Sequence, residues 1–103
     1  MVTIKFEKIC FFFDFIKTNN AIAVVNGTQA IFISLKAFGV KKNDEILVPA
    51  LTFVGTVNAI NYTGATPHFV DSNTSNFGID SKKLENYLES IAFRKKGVCY
   101  NKK

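Results

Sequence analysis

At 103 residues, with 48% apolar side chains, eleven Phe and no Trp, the chain has room for one small domain or a piece of a larger one. That apolar content argues against disorder, and no run reaches the ~18 consecutive apolar residues of a membrane span. The net charge of +5 resides in Arg94, Lys95, Lys96, Lys102 and Lys103, because residues 1–93 balance 8 Lys against 8 acids. Residues 94–103 therefore read as a basic tail, expected to be solvated, with neither nucleic acid nor membrane as a partner.

The first residues, with Lys5, Glu7 and Lys8, are too charged for a secretory signal, so a cytoplasmic location is expected. Cys10 and Cys99 lie far apart with no Cys-x-x-Cys spacing and read as free thiols. In chain order, Phe6, Ile9, Phe13 and Ile16 repeat at helical spacing and predict a helix over 4–17. Phe11, Phe12 and Phe15 widen its apolar stripe enough to require burial on more than one side. The run Ala21-Ile22-Ala23-Val24-Val25 predicts a strand buried on both faces.

A helix follows over 29–38, stopped by Gly39, and a polar turn at 41–44 leads to a second buried strand over 45–49. Thr52 is the expected N-cap of a third helix that runs to Tyr62 and stops at Gly64. A third strand is expected over 67–71, then a loop, then a fourth helix capped by Asp80 or Ser81. Alternating elements of this length predict an α/β fold with a mainly parallel sheet between two helical layers.

In such sheets ligands sit beyond the carboxyl ends of the strands. The turn Val25-Asn26-Gly27-Thr28-Gln29-Ala30 opens a helix there, where unpaired N–H groups and the helix dipole favour an anion. Alone, the same turn serves as plain architecture in many α/β proteins. Pro49-Ala50-Leu51-Thr52-Phe53 adds an aromatic face beyond the second strand, and Asp71 a carboxylate beyond the third. A flat, phosphorylated heterocycle suits this set, its phosphate on the helix start and its ring on Phe53.

Four consecutive blocks resemble the DegT/DnrJ/StrS-type sugar-nucleotide aminotransferases. They are Val25–Ala30, Gly39–Pro49, Leu51–Ile60 and Gly64–Asp71, and the likeness continues through Asp80 and Leu84 to about residue 91. The resemblance implies that residues 1–93 are part of the large pyridoxal-phosphate-binding domain of a fold type I aminotransferase. It implies Gly27, Thr28 and Gln29 at the cofactor phosphate and Phe53 stacked on the pyridine ring, with no metal. It also implies amino transfer from glutamate to a nucleotide-linked keto-sugar by a homodimer, and the tail resembles the branch serving legionaminic-acid-type nonulosonates. Asp71 is expected to be structural, and His68 to be packed or at the surface.

Relatives carry their Schiff-base lysine in a Ser-x-His-x-x-Lys-type motif, which residues 1–103 do not contain. The chain is accordingly expected to be an N-terminal piece, short at its front and inactive alone, without catalytic residues of its own. Two other readings stay open: a non-catalytic chain that interacts with a full-length copy, and a dehydratase of the same family with histidine in place of that lysine. A generic nucleotide-binding domain is weakened because Asn26-Gly27-Thr28 fits neither a G-x-G-x-x-G nor a P-loop pattern.

Overall fold

The computed structural model of the chain describes residues 15, 17 and 22–102. The expected helix over 4–17 lies outside them, apart from Phe15 and Lys17. The expected strand at 21–25 is not one: residues 22–24 have no regular structure, and Ile22 and Val25 are 80% and 85% exposed. An apolar run becomes a strand only when a neighbour supplies ladder partners, and among the described residues none lies beside it.

Helix α1, Gly27–Ala37, begins two residues before the expected start because Asn26 caps it with its side chain. It ends as predicted. Gly39 takes φ +82°, its N–H donates to Lys36 O, and Val40 N–H donates to Leu35 O at 3.1 Å. These are the two crossed bonds of a Schellman ending, and Val40 and Leu35 both pack on the core beneath.

Strand β1, Glu45–Pro49, pairs in parallel with β2, Thr66–Val70, in the register Leu47 to His68. Helix α2, Val54–Thr63, makes the crossover between them and stops where Gly64 adopts φ +84°. Alternation along β1 sends Val48 and Ile46 to one face, where Val48, Ile60 and Ala65 form the buried cluster. Leu35 of α1 joins that cluster, so α1 and α2 cover this face. Helix α3, Ser81–Ile91, serves the other face, where Tyr87 Oη lies 3.0 Å from His68 Nε2. The order helix, parallel sheet, helix is the expected α/β layering.

Asp80 caps α3 by accepting the Lys83 N–H at 3.1 Å. Residues 92–101 are not a plain tail. They form the antiparallel hairpin β3, Ala92–Lys95, and β4, Val98–Asn101. The two-residue loop between them has φ +51° at Lys96 and +79° at Gly97, the backbone of a type I′ turn, whose twist matches the strands.

Candidate functional site

The start of α1 and the loop after β1 meet at the carboxyl end of the sheet. Asn26 is extended, and its Oδ1 accepts the Gln29 N–H at 2.9 Å while its carbonyl accepts the Ala30 N–H at 3.1 Å. Helix geometry gives the Gly27 and Thr28 N–H groups no intrahelical acceptor, and no acidic side chain occupies the first turn. A Cβ built on Gly27 would meet nothing within 4 Å, so the approach to this turn is open.

Phe53 is the N-cap residue of α2, not Thr52 as the sequence suggested. The helix starts one residue later than a Thr52 cap requires, and Thr52 Oγ1 reaches Thr56 Oγ1 at 3.5 Å rather than a first-turn N–H. The Phe53 side chain makes no cap bond and its residue is 76% exposed, which leaves a flat apolar face free to stack.

Gly55 joins the two halves. It is buried, and a Cβ there would lie 2.5 Å from Thr28 Oγ1 and 3.1 Å from Cδ1 and Cε1 of Phe53. The Thr28 hydroxyl and the Phe53 ring thus converge on one point that only glycine leaves empty. A phosphate on the Gly27–Thr28 turn with its heterocycle against Phe53 fits this arrangement. The Gln29 N–H is already engaged, so an anion drawing on it must share that donor with Asn26.

The residues expected around the cofactor therefore lie on two adjoining segments, Gly27, Thr28 and Gln29 on one and Phe53 on the other. Asn26 was read from the sequence only as part of the turn and Gly55 only as part of a matching block; the cap and the close approach were not. A glycine inside a helical pattern costs propensity and signals a close approach, and asparagine directly before a helix start signals a cap.

Other candidates lie elsewhere. Asp71 follows β2, accepts the Ser72 N–H at 3.2 Å and stands 3.6 Å from Lys83 Nζ. It borders a cleft of about 360 Å³ with Lys83, Leu84 and Tyr87, to which the cradle residues do not contribute. His68 is held between Glu45 Oε2 at 2.9 Å and Tyr87 Oη at 3.0 Å. Hydrogen bonds from Asn101 and His68 hold the Glu45 carboxyl below its ordinary value. Lys36 lies in the last turn of α1 and Lys41 and Lys42 in the turn before β1, away from the start of α1. Among the described residues no group of His, Cys, Asp and Glu is arranged to hold a metal, and no helix is long and apolar enough to cross a membrane.

The profile of the DegT/DnrJ/EryC1/StrS aminotransferase family matches residues 3–99. GDP-perosamine synthase of Caulobacter vibrioides is 42% identical over 82 residues, which cover 80% of this chain and 22% of that protein. Spore coat polysaccharide biosynthesis protein SpsC of Bacillus subtilis is 43% identical over 81 residues, covering 79% and 20%. The crystal structure of ntda from Bacillus subtilis with bound cofactor pmp superposes at a TM-score of 0.74 with 33% identity, covering 84% of this chain and 20% of that one. The chain spans about a fifth of the length of the curated relatives it matches.

Proposed function

The chain belongs to the DegT/DnrJ/EryC1/StrS aminotransferase family, and from that premise we propose that the whole protein transfers an amino group from glutamate to a nucleotide-linked keto-sugar. Pyridoxal phosphate is the cofactor, and the product feeds surface polysaccharide or nonulosonate synthesis in the cytoplasm. Two subunits build each site. The names of the matched relatives, a perosamine synthase and a spore coat polysaccharide protein, support the sugar assignment.

The observation that carries this reading is the meeting of Thr28 and Phe53 over Gly55. In it, the Gly27 and Thr28 N–H groups bind the cofactor phosphate at the positive end of α1. The Thr28 hydroxyl, beside Gly55, offers a further donor to the same anion. Phe53 stacks on the pyridine ring and shields that face from water. Asn26 orders the turn before the ligand arrives, since its side chain already fixes the first turn. Once bound, the cofactor supplies the electron sink that lets a carbon adjacent to nitrogen lose its proton. Asp71 takes no part, because it borders a separate cleft with Lys83, Leu84 and Tyr87 to which the cradle residues do not contribute.

Pyridoxamine 5′-phosphate, which forms no Schiff base with surface lysines, tests the cradle by its own fluorescence. The chain is expected to bind it saturably, to bind unphosphorylated pyridoxamine far less well, and to lose about fivefold in affinity in Phe53→Ala. Equal binding of the two compounds would remove the phosphate cradle from the account.

A further inference from the structure

We propose that the outward face of the β3–β4 hairpin binds single-stranded nucleic acid, with bases stacked on its aromatic pair and phosphates held by its cations. In the hairpin register Phe93 faces Tyr100 and Lys95 faces Val98, so these four side chains share one side of the ribbon. Phe93 and Tyr100 stack with centroids 5.6 Å apart and planes 23° from parallel. Phe93, Val98 and Tyr100 are each about half exposed. With Lys95 and Lys96 they line an open depression of about 490 Å³.

The opposite side of the ribbon carries Asn101, which donates to Glu45 Oε2 at 3.0 Å and ties the hairpin to the body. The aromatic side is thereby presented outward by a fixed support. Lys95 and Lys96 supply the charge on this side, since Arg94 lies on the opposite side with Cys99 and the Lys102 ammonium donates to Ser90 O. An exposed aromatic pair on a strand surface, flanked by Lys95 and Lys96, has the two features that unspecific recognition of single strands uses: a platform for any base and cations for the backbone.

A duplex keeps its bases stacked on each other and offers this face only phosphates. The site is also distinct from the cofactor cradle, because Asn101 meets β1 at Glu45, the first residue of the strand, whereas the cradle lies beyond Pro49 at its end. Nothing in the proposal depends on the aminotransferase reading.

The test is fluorescence anisotropy of the full chain with a labelled oligothymidine of about twelve nucleotides, at about 50 mM and about 200 mM salt. Binding is expected to fall with salt, and Tyr100→Ser is expected to weaken it about tenfold at unchanged salt slope. Tyr100→Phe, which keeps the ring and the hairpin, should restore it. The pair Lys95→Gln and Lys96→Gln should flatten the logarithmic salt slope by about 0.7 for each cation. Equal affinity for a duplex of the same length, or for heparin, would reduce the face to a general polyanion contact and overturn the proposal. So would unchanged binding in Tyr100→Ser, or sedimentation with anionic phospholipid vesicles in the absence of any oligonucleotide signal.

Discussion

The segment from Gly27 to Val70 is about twice as long as the segment from Ser81 to Asn101, and the two are held by different physics. The first contains the fully buried Val48, Ala59 and Ile60, with α1, β1, α2 and β2 packed on them. The second contributes no buried residue from α3. It is joined to the sheet by the chain Tyr87–His68–Glu45–Asn101, and Lys102 returns to α3 through Ile91 O and Ser90 O. The apolar unit carries the cradle and the polar unit carries the hairpin. Stability at the two places should therefore respond to different perturbations.

The largest effect is expected at Ile60. Truncation to Ala removes a side chain at 1% exposure from the small cluster and should cost about 2–5 kcal/mol, read by urea unfolding. A loss below about 1 kcal/mol would show that the first segment is not core-held. Gly55→Val comes next. The new side chain would collide with Thr28 Oγ1 and Phe53, so a destabilisation of about 1–3 kcal/mol is expected together with loss of pyridoxamine 5′-phosphate binding. Retained binding would separate Gly55 from the cradle. Gly64→Ala, at φ +84°, should cost about 1 kcal/mol without touching the ligand.

The smallest effect belongs to the junction where Asn101 of the second segment meets Glu45 of the first, and it depends on pH. The folded state holds the Glu45 carboxyl below its ordinary 4.5, chiefly through Asn101 and then His68. Its contribution is full above that value and is lost as pH falls through the lower folded value. Glu45 is well exposed, so the effect should stay under about 1 kcal/mol. Between pH 6 and pH 3 the Asn101 side-chain amide signals should move while those of Val48 and Ile60 stay fixed, and Glu45→Gln should flatten the response.

The apolar segment was also the more legible one, although α3 and its Asp80 cap were read from the sequence too. Its helices, its two parallel strands and the stops at Gly39 and Gly64 follow from periodicity and from glycine chemistry, both of which are local. The segment 22–25 misled because its apolar run states a wish for burial, whereas a strand needs a partner that no local pattern supplies. The cap of α2 was misplaced by one residue because Thr52 is the better capping side chain, whereas its hydroxyl points to Thr56 and Phe53 holds the cap position without a side-chain bond. The hairpin was missed for two reasons. Lys96 occupies a left-handed position that sequence patterns reserve for Asn, Asp or Gly, and its cations dominate the composition of those residues. Gly27, Thr28 and Phe53 were named from the sequence, but the glycine that brings Thr28 and Phe53 together became visible only in three dimensions.

The central claim is that the Gly27–Thr28 turn and Phe53 act as one phosphate-and-ring site. Residue-resolved amide shifts of the chain during titration with pyridoxamine 5′-phosphate test it most directly. The account predicts saturable shifts concentrated at Gly27, Thr28, Gln29 and residues 53–56, with the hairpin silent. Shifts centred on Lys95, Lys96 and Tyr100, or spread evenly over the surface without saturation, would contradict it.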